Sequence, residues 1–220
     1  MPSIAVVDYG MGNLRSVSKA LEHVAPELTV EVTDQPETIR SADKVVFPGV
    51  GAMRDCMAEL QQRGLAEVVC EVATDRPFFG ICLGMQLLLE QSEENGGTRG
   101  LAILPGAVQQ FPDPLYDQHD REATPRERLK IPHMGWNQVE QQVDHPMWHK
   151  IENGSRFYFV HSFYAVPGRE NETAATSHYG FEFASALYQK SLFATQFHPE
   201  KSQHAGLQLL KNFAQWNGQP

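Results

Sequence analysis

The 220-residue sequence has few cysteines, an excess of acidic over basic residues and no long apolar run. Its three cysteines, at positions 56, 70 and 82, are too few for a disulfide framework and are typical of a reducing compartment. The formal net charge of −9 argues against a nucleic-acid partner, which requires a basic face. No apolar stretch is long enough to span a bilayer, and the one before Asp8 is too short for a signal peptide. We therefore expect a cytoplasmic protein without nucleic-acid or membrane partners.

The first hundred residues alternate between strand-like and helix-like patterns. In "NLRSVSKALEHV", Leu14, Val17 and Leu21 recur at helical spacing after the apolar run "SIAVV". The other strand candidates are "LTVEVT", "KVVFPGVG" and "PFFGI", and the other helix candidates are "AMRDCMAELQQRG", "LAEVVCEVATD" and a run beginning at Leu83. Such alternation predicts an α/β fold with a mostly parallel central sheet, helices on both faces, and ligands at the carboxyl ends of the strands.

The second half of the chain is richer in β-strand patterns. The candidates are "AVQQF", "GWNQVEQQ", "RFYFVHSFYAV", "ETAATSHYG" and "FASALYQKSLFATQFHPE". The polar, Pro-rich stretch 112–130 predicts a mobile surface loop. Ser202 is expected to cap a closing amphipathic helix. Because no linker is evident, we expect a single domain over residues 1–220.

A cysteine stands at a cramped position between a strand pattern and a helix pattern. Cys82 has Gly80 and Gly84 two residues to either side, which would allow a sharp strand-to-helix turn with an exposed sulfur. At a helix N-terminus the dipole and free N–H groups favour the thiolate, and the N–H of Leu83 would face a developing oxyanion. These features favour a nucleophile. The alternative is a packed core thiol, which is how we interpret the other two cysteines.

A cysteine nucleophile requires a base, and His198 is the best candidate among nine histidines. It ends an apolar strand pattern in "TQFHPEKS", where residues two apart point to the same side of an extended chain. Glu200 could therefore orient one imidazole nitrogen while the other faces a thiolate. The alternative is a surface turn with a local charge pair. His145 and His149 have a metal-ligand spacing, but Pro146 beside them favours packing, and we expect no metal site.

The segment "VVFPGVGAM" supplies a third element. Gly49 and Gly51 flank Val50 and would leave its peptide free to turn the N–H inward as a second oxyanion donor. The alternative is an ordinary Pro-Gly turn. This segment is evidence for an oxyanion donor only in combination with the motifs around Cys82 and His198.

Together, "GICLGMQLL", "TQFHPEKS" and "FPGVGA" resemble the nucleophile, His-x-Glu and oxyanion motifs of class I (triad-type) glutamine amidotransferases. Within that family, "DYGMGNLRSV", "KIPHMGWN" and "FYFVHSFY" make the chain similar to the glutaminase subunits of imidazole glycerol phosphate synthases. The resemblance covers essentially the whole chain. The stretch 112–130 departs from it, because it is longer than such subunits usually carry.

The resemblance implies a glutaminase reaction without a cofactor or a metal. Cys82 would attack the side-chain amide of L-glutamine, with His198 as acid and base and Glu200 orienting it. The N–H groups of Leu83 and Val50 would form the oxyanion hole. The residues expected to bind substrate are Gly51, Gln86, Glu94, Ser162 and Phe163.

The resemblance also implies a protein partner. Ammonia would pass to a (β/α)₈-barrel cyclase subunit in a heterodimer, which forms imidazole glycerol phosphate and an aminoimidazole carboxamide ribotide in histidine biosynthesis. Met134, Trp136 and Lys201 are the candidate interface residues. Two alternatives stay open: an amidotransferase subunit serving pyridoxal phosphate or anthranilate synthesis, and a flavodoxin-like binding module with a redox-sensing thiol.

Overall fold

Strands and helices alternate in the first part of the computed structural model, which describes residues 2–117 and 128–219. The predicted order is confirmed, although the sequence patterns missed the short helix that begins at Pro36 and two short strands between residues 91 and 99. The elements are β1 (Ser3–Val7), α1 (Leu14–Val24), β2 (Thr29–Thr33), α2 (Pro36–Ser41), β3 (Lys44–Gly49), α3 (Met53–Gln62), α4 (Leu65–Asp75), β4 (Phe78–Cys82) and α5 (Leu83–Gln86).

The regular elements in the described remainder of the chain are mostly β-strands, as predicted, and the last element is a helix. Its elements are β5 (Gln91–Ser92), β6 (Thr98–Arg99), β7 (Gly106–Gln110), β8 (Leu115–Tyr116), β9 (Arg128–Leu129), β10 (His133–Gln138), β11 (Glu140–Gln141), β12 (Arg156–His161), β13 (Phe163–Pro167), β14 (Thr173–Tyr179), β15 (Phe181–Gln189), β16 (Leu192–Thr195) and α6 (Gln203–Gln215).

A twelve-stranded sheet runs through the described residues in the order β2-β1-β3-β4-β16-β15-β13-β7-β5-β6, with β14 and β11 extending from β15. The first five strands of that order are mutually parallel, and β16 is the strand that joins the β-rich half to them. From β16 to β15, β13 and β7 the pairing is antiparallel. A separate antiparallel ladder pairs β10 with β12.

Both faces of the sheet are covered, and β3 and β4 are accordingly buried at every position except Lys44. One core lies under α3 and α4 and includes Phe47, Leu60 and Val72. The other lies under α1 and α6 and contains Phe79 and Phe213, whose ring centroids are 5.3 Å apart. No helix within the described ranges is long and apolar enough to cross a bilayer.

Two predictions about helix ends are wrong. The helix that begins at Leu83 is a single turn, so the dipole expected to act on Cys82 is small. Ser202 precedes α6 but does not cap it, because its hydroxyl donates to the carbonyl of His198 at 2.6 Å and accepts from the N–H of Tyr158 at 2.9 Å.

The stretch 112–130 is partly regular rather than a loop throughout. Strands β8 and β9 pair in antiparallel register, Leu115 with Leu129 and Tyr116 with Arg128. Leu115 is buried, because the apolar side chain joins the core that lies under α6. The predicted mobility of residues 118–127 concerns positions outside the described residues.

Candidate active site

Three neighbouring parallel strands end at the same edge of the sheet and carry the three sequence motifs. In the register of β3 with β4, Gly49 lies opposite Cys82. On the other side of β4, Thr195 of β16 lies opposite Ile81, so His198 follows three residues beyond that strand end. Residues far apart in the sequence are thereby brought to one edge, which is where ligands bind in sheets of this kind.

The backbone at Cys82 is strained. Its φ of 56° and ψ of −114° lie in a region that non-glycine residues rarely adopt. This is the sharp strand-to-helix turn that the sequence predicts, but the strain falls on the cysteine rather than on the flanking glycines. Gly84 is required for a different reason, since a Cβ there would lie 1.9 Å from the carbonyl oxygen of Phe47. The turn can therefore press closely against β3.

His198 and Glu200 form a buried pair. The Nδ1 atom of His198 and Oε1 of Glu200 are 2.9 Å apart. The backbone of His198 is fixed as well, because its N–H donates to the carbonyl of Tyr158 and its carbonyl accepts from Ser202. The interpretation of "HPE" as a surface turn with a solvated charge pair is therefore wrong.

The second imidazole nitrogen lies near the Cys82 sulfur. Nε2 of His198 is buried and makes no well-formed hydrogen bond within the described residues. Burial lowers the pKa of His198, but the nearby Cys82 sulfur and the Glu200 carboxylate outweigh it and raise the pKa to about 10. The imidazole is therefore protonated at neutral pH and stands beside the sulfur as a proton donor.

Two side chains anchor the backbone around the "PGVG" segment. The Tyr9 hydroxyl donates to the carbonyl of Pro48 at 3.0 Å, and the Cys56 thiol donates to the carbonyl of Val50 at 3.5 Å. These two carbonyls bracket the peptide that joins Gly49 to Val50. Cys56 is a buried thiol, as expected, but it also restrains this segment.

A pocket of about 350 Å³ opens at this edge of the sheet, a size suited to a small ligand. Ten residues predicted for the site line it, and Glu200, Met134 and Trp136 do not. Those ten are Val50, Gly51, Cys82, Leu83, Gln86, Glu94, Ser162, Phe163, His198 and Lys201.

The two polar side chains predicted to bind substrate already have partners in the protein. Gln86 donates both amide hydrogens, to the carbonyl of Phe163 at 3.1 Å and to Oε1 of Gln196 at 2.8 Å. Glu94 accepts from the N–H of Met53 at 2.6 Å, at the first residue of α3. Among the described residues, no hydrogen bond engages the Gln86 carbonyl oxygen or the second Glu94 oxygen, and these two acceptor atoms are left for a ligand.

Gln196 and His161 are site residues that the motif reading missed. The Gln196 side chain is fully buried and directs its Nε2 toward the Cys82 sulfur at 3.8 Å. His161 lines the pocket and bonds through Nδ1 to the carbonyl of Phe163 at 2.7 Å. The sequence did contain a signal for Gln196, because in "LFATQFH" a polar residue stands within a run whose neighbours are all buried.

An apolar surface lies beside the pocket. Met134 and Trp136 are 62% and 42% exposed on the outer face of β10, so core packing of Trp136 is excluded. The Trp136 ring meets the Tyr158 ring edge-on at 6.2 Å, and the Lys201 ammonium lies over the Tyr158 ring at 5.8 Å. We call these four residues the Trp136 surface.

His145 is a packing residue, as expected, whereas His149 is exposed. The His145 ring is buried against Phe193 and Trp216. The Nδ1 atom of His145 accepts a hydrogen bond from the N–H of Met147 at 3.2 Å, and the preceding loop ends at this bond. Nowhere in residues 2–117 and 128–219 do three His, Cys, Asp or Glu side chains lie close enough together to hold a metal ion.

Residues 5–216 match the family described as "Glutamine amidotransferase class-I". The chain is 55% identical over 218 residues to a protein of Pseudomonas savastanoi pv. phaseolicola named "Imidazole glycerol phosphate synthase subunit HisH", with 99% of each chain covered. It is 56% identical, at the same coverage, to a protein of the same name from Nitrosococcus oceani. Among solved structures, "Structure of PurLQS from Thermotoga maritima" aligns with a TM-score of 0.71 at 17% identity, covering 97% of this chain and 98% of that one. At this low identity, the similarity to the last protein shows a shared fold only.

Proposed function

The chain belongs to the class-I glutamine amidotransferase family, and from that premise we propose that it hydrolyses L-glutamine as the glutaminase subunit of an imidazole glycerol phosphate synthase. The observation that carries the proposal is the strained Cys82 turn beside a buried, protonated His198 that is paired with Glu200. Full-length relatives with the synthase subunit name narrow the family to this branch. They disfavour subunits serving pyridoxal phosphate or anthranilate synthesis.

The first half of the reaction forms a thioester. The Cys82 sulfur attacks the side-chain amide carbon of glutamine, and the N–H groups of Leu83 and Val50 stabilise the oxyanion. His198 transfers its Nε2 proton to the departing amide nitrogen, so that ammonia leaves and a γ-glutamyl thioester remains. Because His198 is protonated before substrate arrives, the proton is in place when the C–N bond breaks.

The second half hydrolyses the thioester. His198, now neutral, takes a proton from water as the water oxygen attacks the thioester carbon. The C–S bond breaks, glutamate leaves and the thiolate–imidazolium pair is restored. Glu200 stabilises the imidazolium in both halves and holds the ring in one orientation.

The pocket offers complementary groups for the two ends of glutamine. The α-amino group suits the free acceptor atoms of Gln86 and Glu94, because an ammonium donates to them. The α-carboxylate suits backbone N–H groups at Ser162 and Phe163. Gly51, whose φ is +97°, lies at the pocket beside Val50 and leaves room for the substrate to approach the backbone.

A cyclase subunit with a (β/α)₈ barrel is the proposed acceptor of the ammonia, in histidine biosynthesis. The Trp136 surface suits its docking, because Trp, Tyr and Met side chains are enriched in protein–protein interfaces. It adjoins the pocket through Lys201, so a docked partner could receive ammonia without release to solvent. The unpaired thiols at all three cysteines support a cytoplasmic location.

Trapping the thioester tests the proposal directly. Glutamine is added to the chain in the presence of the cyclase and its nucleotide ligand, the reaction is quenched in acid and the Cys82 peptide is analysed by mass spectrometry, with Cys82→Ser as the control. We expect a glutamyl adduct on Cys82 that requires His198. A redox-sensing binding module would instead give no adduct and no requirement for His198 or Glu200, which would contradict the proposal.

A further inference from the structure

A single backbone carbonyl in the site receives two side-chain hydrogen bonds. The oxygen of Phe163 accepts from Gln86 Nε2 at 3.1 Å and lies 2.7 Å from Nδ1 of His161. A carbonyl oxygen can only accept, so each of these side chains must donate to it. This requirement fixes the direction of every hydrogen bond that connects to them.

On one side the direction is set through two buried histidines. Since His161 donates from Nδ1, a neutral His161 has an unprotonated Nε2, which must accept. Nδ1 of His133 lies 2.9 Å from that atom and is therefore the donor. Nε2 of His133 then accepts from the amide of Asn137, 3.3 Å away. The donors run from Asn137 through His133 and His161 to the Phe163 carbonyl.

On the other side the direction continues to the reacting sulfur. With one Gln86 hydrogen on the Phe163 carbonyl, the second donates to Oε1 of Gln196 at 2.8 Å. Gln196 is thereby held with its amide nitrogen toward the Cys82 sulfur, at 3.8 Å. Because Gln196 is fully buried, this N–H has no competing water.

We infer that Gln196 is a positioning residue for the Cys82 sulfur, and that Gln86, His161 and His133 fix its orientation through the Phe163 carbonyl. The inference rests on the proposed function for the meaning of Cys82. An N–H aimed at the sulfur favours the thiolate over the thiol and holds it in one direction for attack. The Gln196 N–H thus adds to the stabilisation of the thiolate, to which the single-turn helix α5 contributes only weakly.

The same bonds connect the pocket to the proposed docking surface. Along β10, His133 is buried while Met134, the next residue, is the most exposed of the large apolar side chains described. His133 pairs in register with His161 on β12. A movement of β10 would therefore change the bond that orients His161, and through it the carbonyl that Gln86 holds.

The test measures alkylation of Cys82 by iodoacetamide as a function of pH, following the Cys82 peptide by mass spectrometry. Gln196→Met keeps the length of the side chain and removes the N–H. We expect the midpoint of the rate profile to rise by roughly half a pH unit to one unit, which corresponds to about 3- to 10-fold less thiolate below the midpoint. Thr195→Val is the matched control. It removes a buried hydrogen bond from the neighbouring residue to the Phe197 carbonyl, and that bond does not connect to Gln196, Gln86 or the histidines.

A second pair of variants tests the histidine side and does not depend on the folding of Gln196→Met. His133→Asn retains a donor near the Nδ1 position, whereas His133→Leu removes it. We expect His133→Leu to lower the alkylation rate below the midpoint roughly 2- to 3-fold, and His133→Asn to restore it. A purely structural role would affect both alike.

Three results would overturn the inference: an unchanged midpoint in Gln196→Met, an equal shift in Thr195→Val, or equal rates in the two His133 variants. Absence of a glutamyl adduct in the unmodified chain, in the presence of the cyclase and its nucleotide ligand, would contradict the proposed function instead. Alkylation needs no glutamine, so this experiment tests the positioning role of Gln196 whether or not the protein proves to be a glutaminase.

Discussion

The Nδ1 atom of His198 lies 2.9 Å from Oε1 of Glu200, and the two side chains are only 3% and 1% exposed. Oε2 of Glu200 has no hydrogen-bond partner within the described residues. The carboxylate is thus directed at the imidazole and little else, in surroundings where charges interact strongly. Its removal should affect the chemistry of His198 more than the fold.

Glu200→Gln should lower glutamine turnover by roughly 10²- to 10³-fold while the protein stays folded. The amide retains a hydrogen-bonding shape but no longer stabilises the imidazolium. The loss is smaller than the about 10⁴-fold seen for the carboxylate of a serine-protease triad, because a thiol is more acidic than a hydroxyl. Steady-state glutaminase kinetics check this, with circular dichroism for the fold. Glu172→Gln, at another buried carboxylate, is the control, and unchanged turnover in Glu200→Gln would remove Glu200 from the mechanism.

Cys82→Ala should abolish glutamine-dependent synthesis by the complex with the cyclase and leave synthesis from added ammonium salt unchanged. The reason is that Cys82 serves only to liberate ammonia. The measurement compares the two nitrogen sources at saturating nucleotide. Cys70→Ala, at a half-buried thiol remote from the pocket, should retain both activities. Equal loss of both activities in Cys82→Ala would show a role in folding or docking instead.

The isolated chain should hydrolyse glutamine slowly, and the cyclase with its nucleotide ligand should accelerate it. The carbonyls on either side of the Gly49–Val50 peptide are anchored by Tyr9 and Cys56, so reorientation is confined to that peptide. Loss of one oxyanion donor costs roughly 10²- to 10³-fold in rate. Glutaminase assays of the chain alone, with cyclase, and with cyclase plus ligand measure the difference. Full activity in the chain alone would exclude such a switch.

Trp136→Ala should weaken cyclase binding by roughly 2 kcal/mol or more without lowering the stability of the free chain. Exposed tryptophans are frequent hot spots when they are buried in an interface, and Trp136 contributes little to the core. Isothermal titration with the cyclase measures the affinity, and denaturant unfolding measures the stability. Val32→Ala removes a similarly exposed apolar side chain from the edge strand β2 and should leave binding unchanged. Equal binding by both variants would move the interface elsewhere.

The free energy of unfolding should fall as the pH drops below about 6.5. Burial lowers the pKa of His133 and His145 to about 4 and that of His161 to about 3. The unfolded chain therefore takes up protons between pH 6.5 and 4 that the folded chain excludes, so stability is present above 6.5 and is lost toward 4. His145→Asn keeps an acceptor for Met147 and should reduce the slope in that window by about 1.4 kcal/mol per pH unit. Urea unfolding at several pH values measures both slopes, and identical slopes would show that the pKa of His145 is the same in the folded and unfolded states.

Local patterns were enough to predict most of the fold. The apolar runs before Asp8 and through Phe78 formed strands, and helical spacing at Leu14, Val17 and Leu21 formed α1. The strand-to-helix turn at Cys82 was also predicted, because a short apolar strand, a nucleophilic residue and a following apolar run lie within a few residues of one another. These are local properties of the chain, set by backbone geometry and the period of side-chain burial.

The tertiary structure decided the features that depend on distant residues. The pairing of β16 with β4 brings His198 to Cys82. From spacing alone, His198 and Glu200 could equally have formed a charge pair in a surface turn. Gln196 acquired an orientation only through the carbonyl of Phe163 and the amide of Gln86. Ser202 bonds to Tyr158 and His198 in place of the helix. A polar side chain takes whichever partner remains when water is excluded, and that partner is determined by which strands become neighbours.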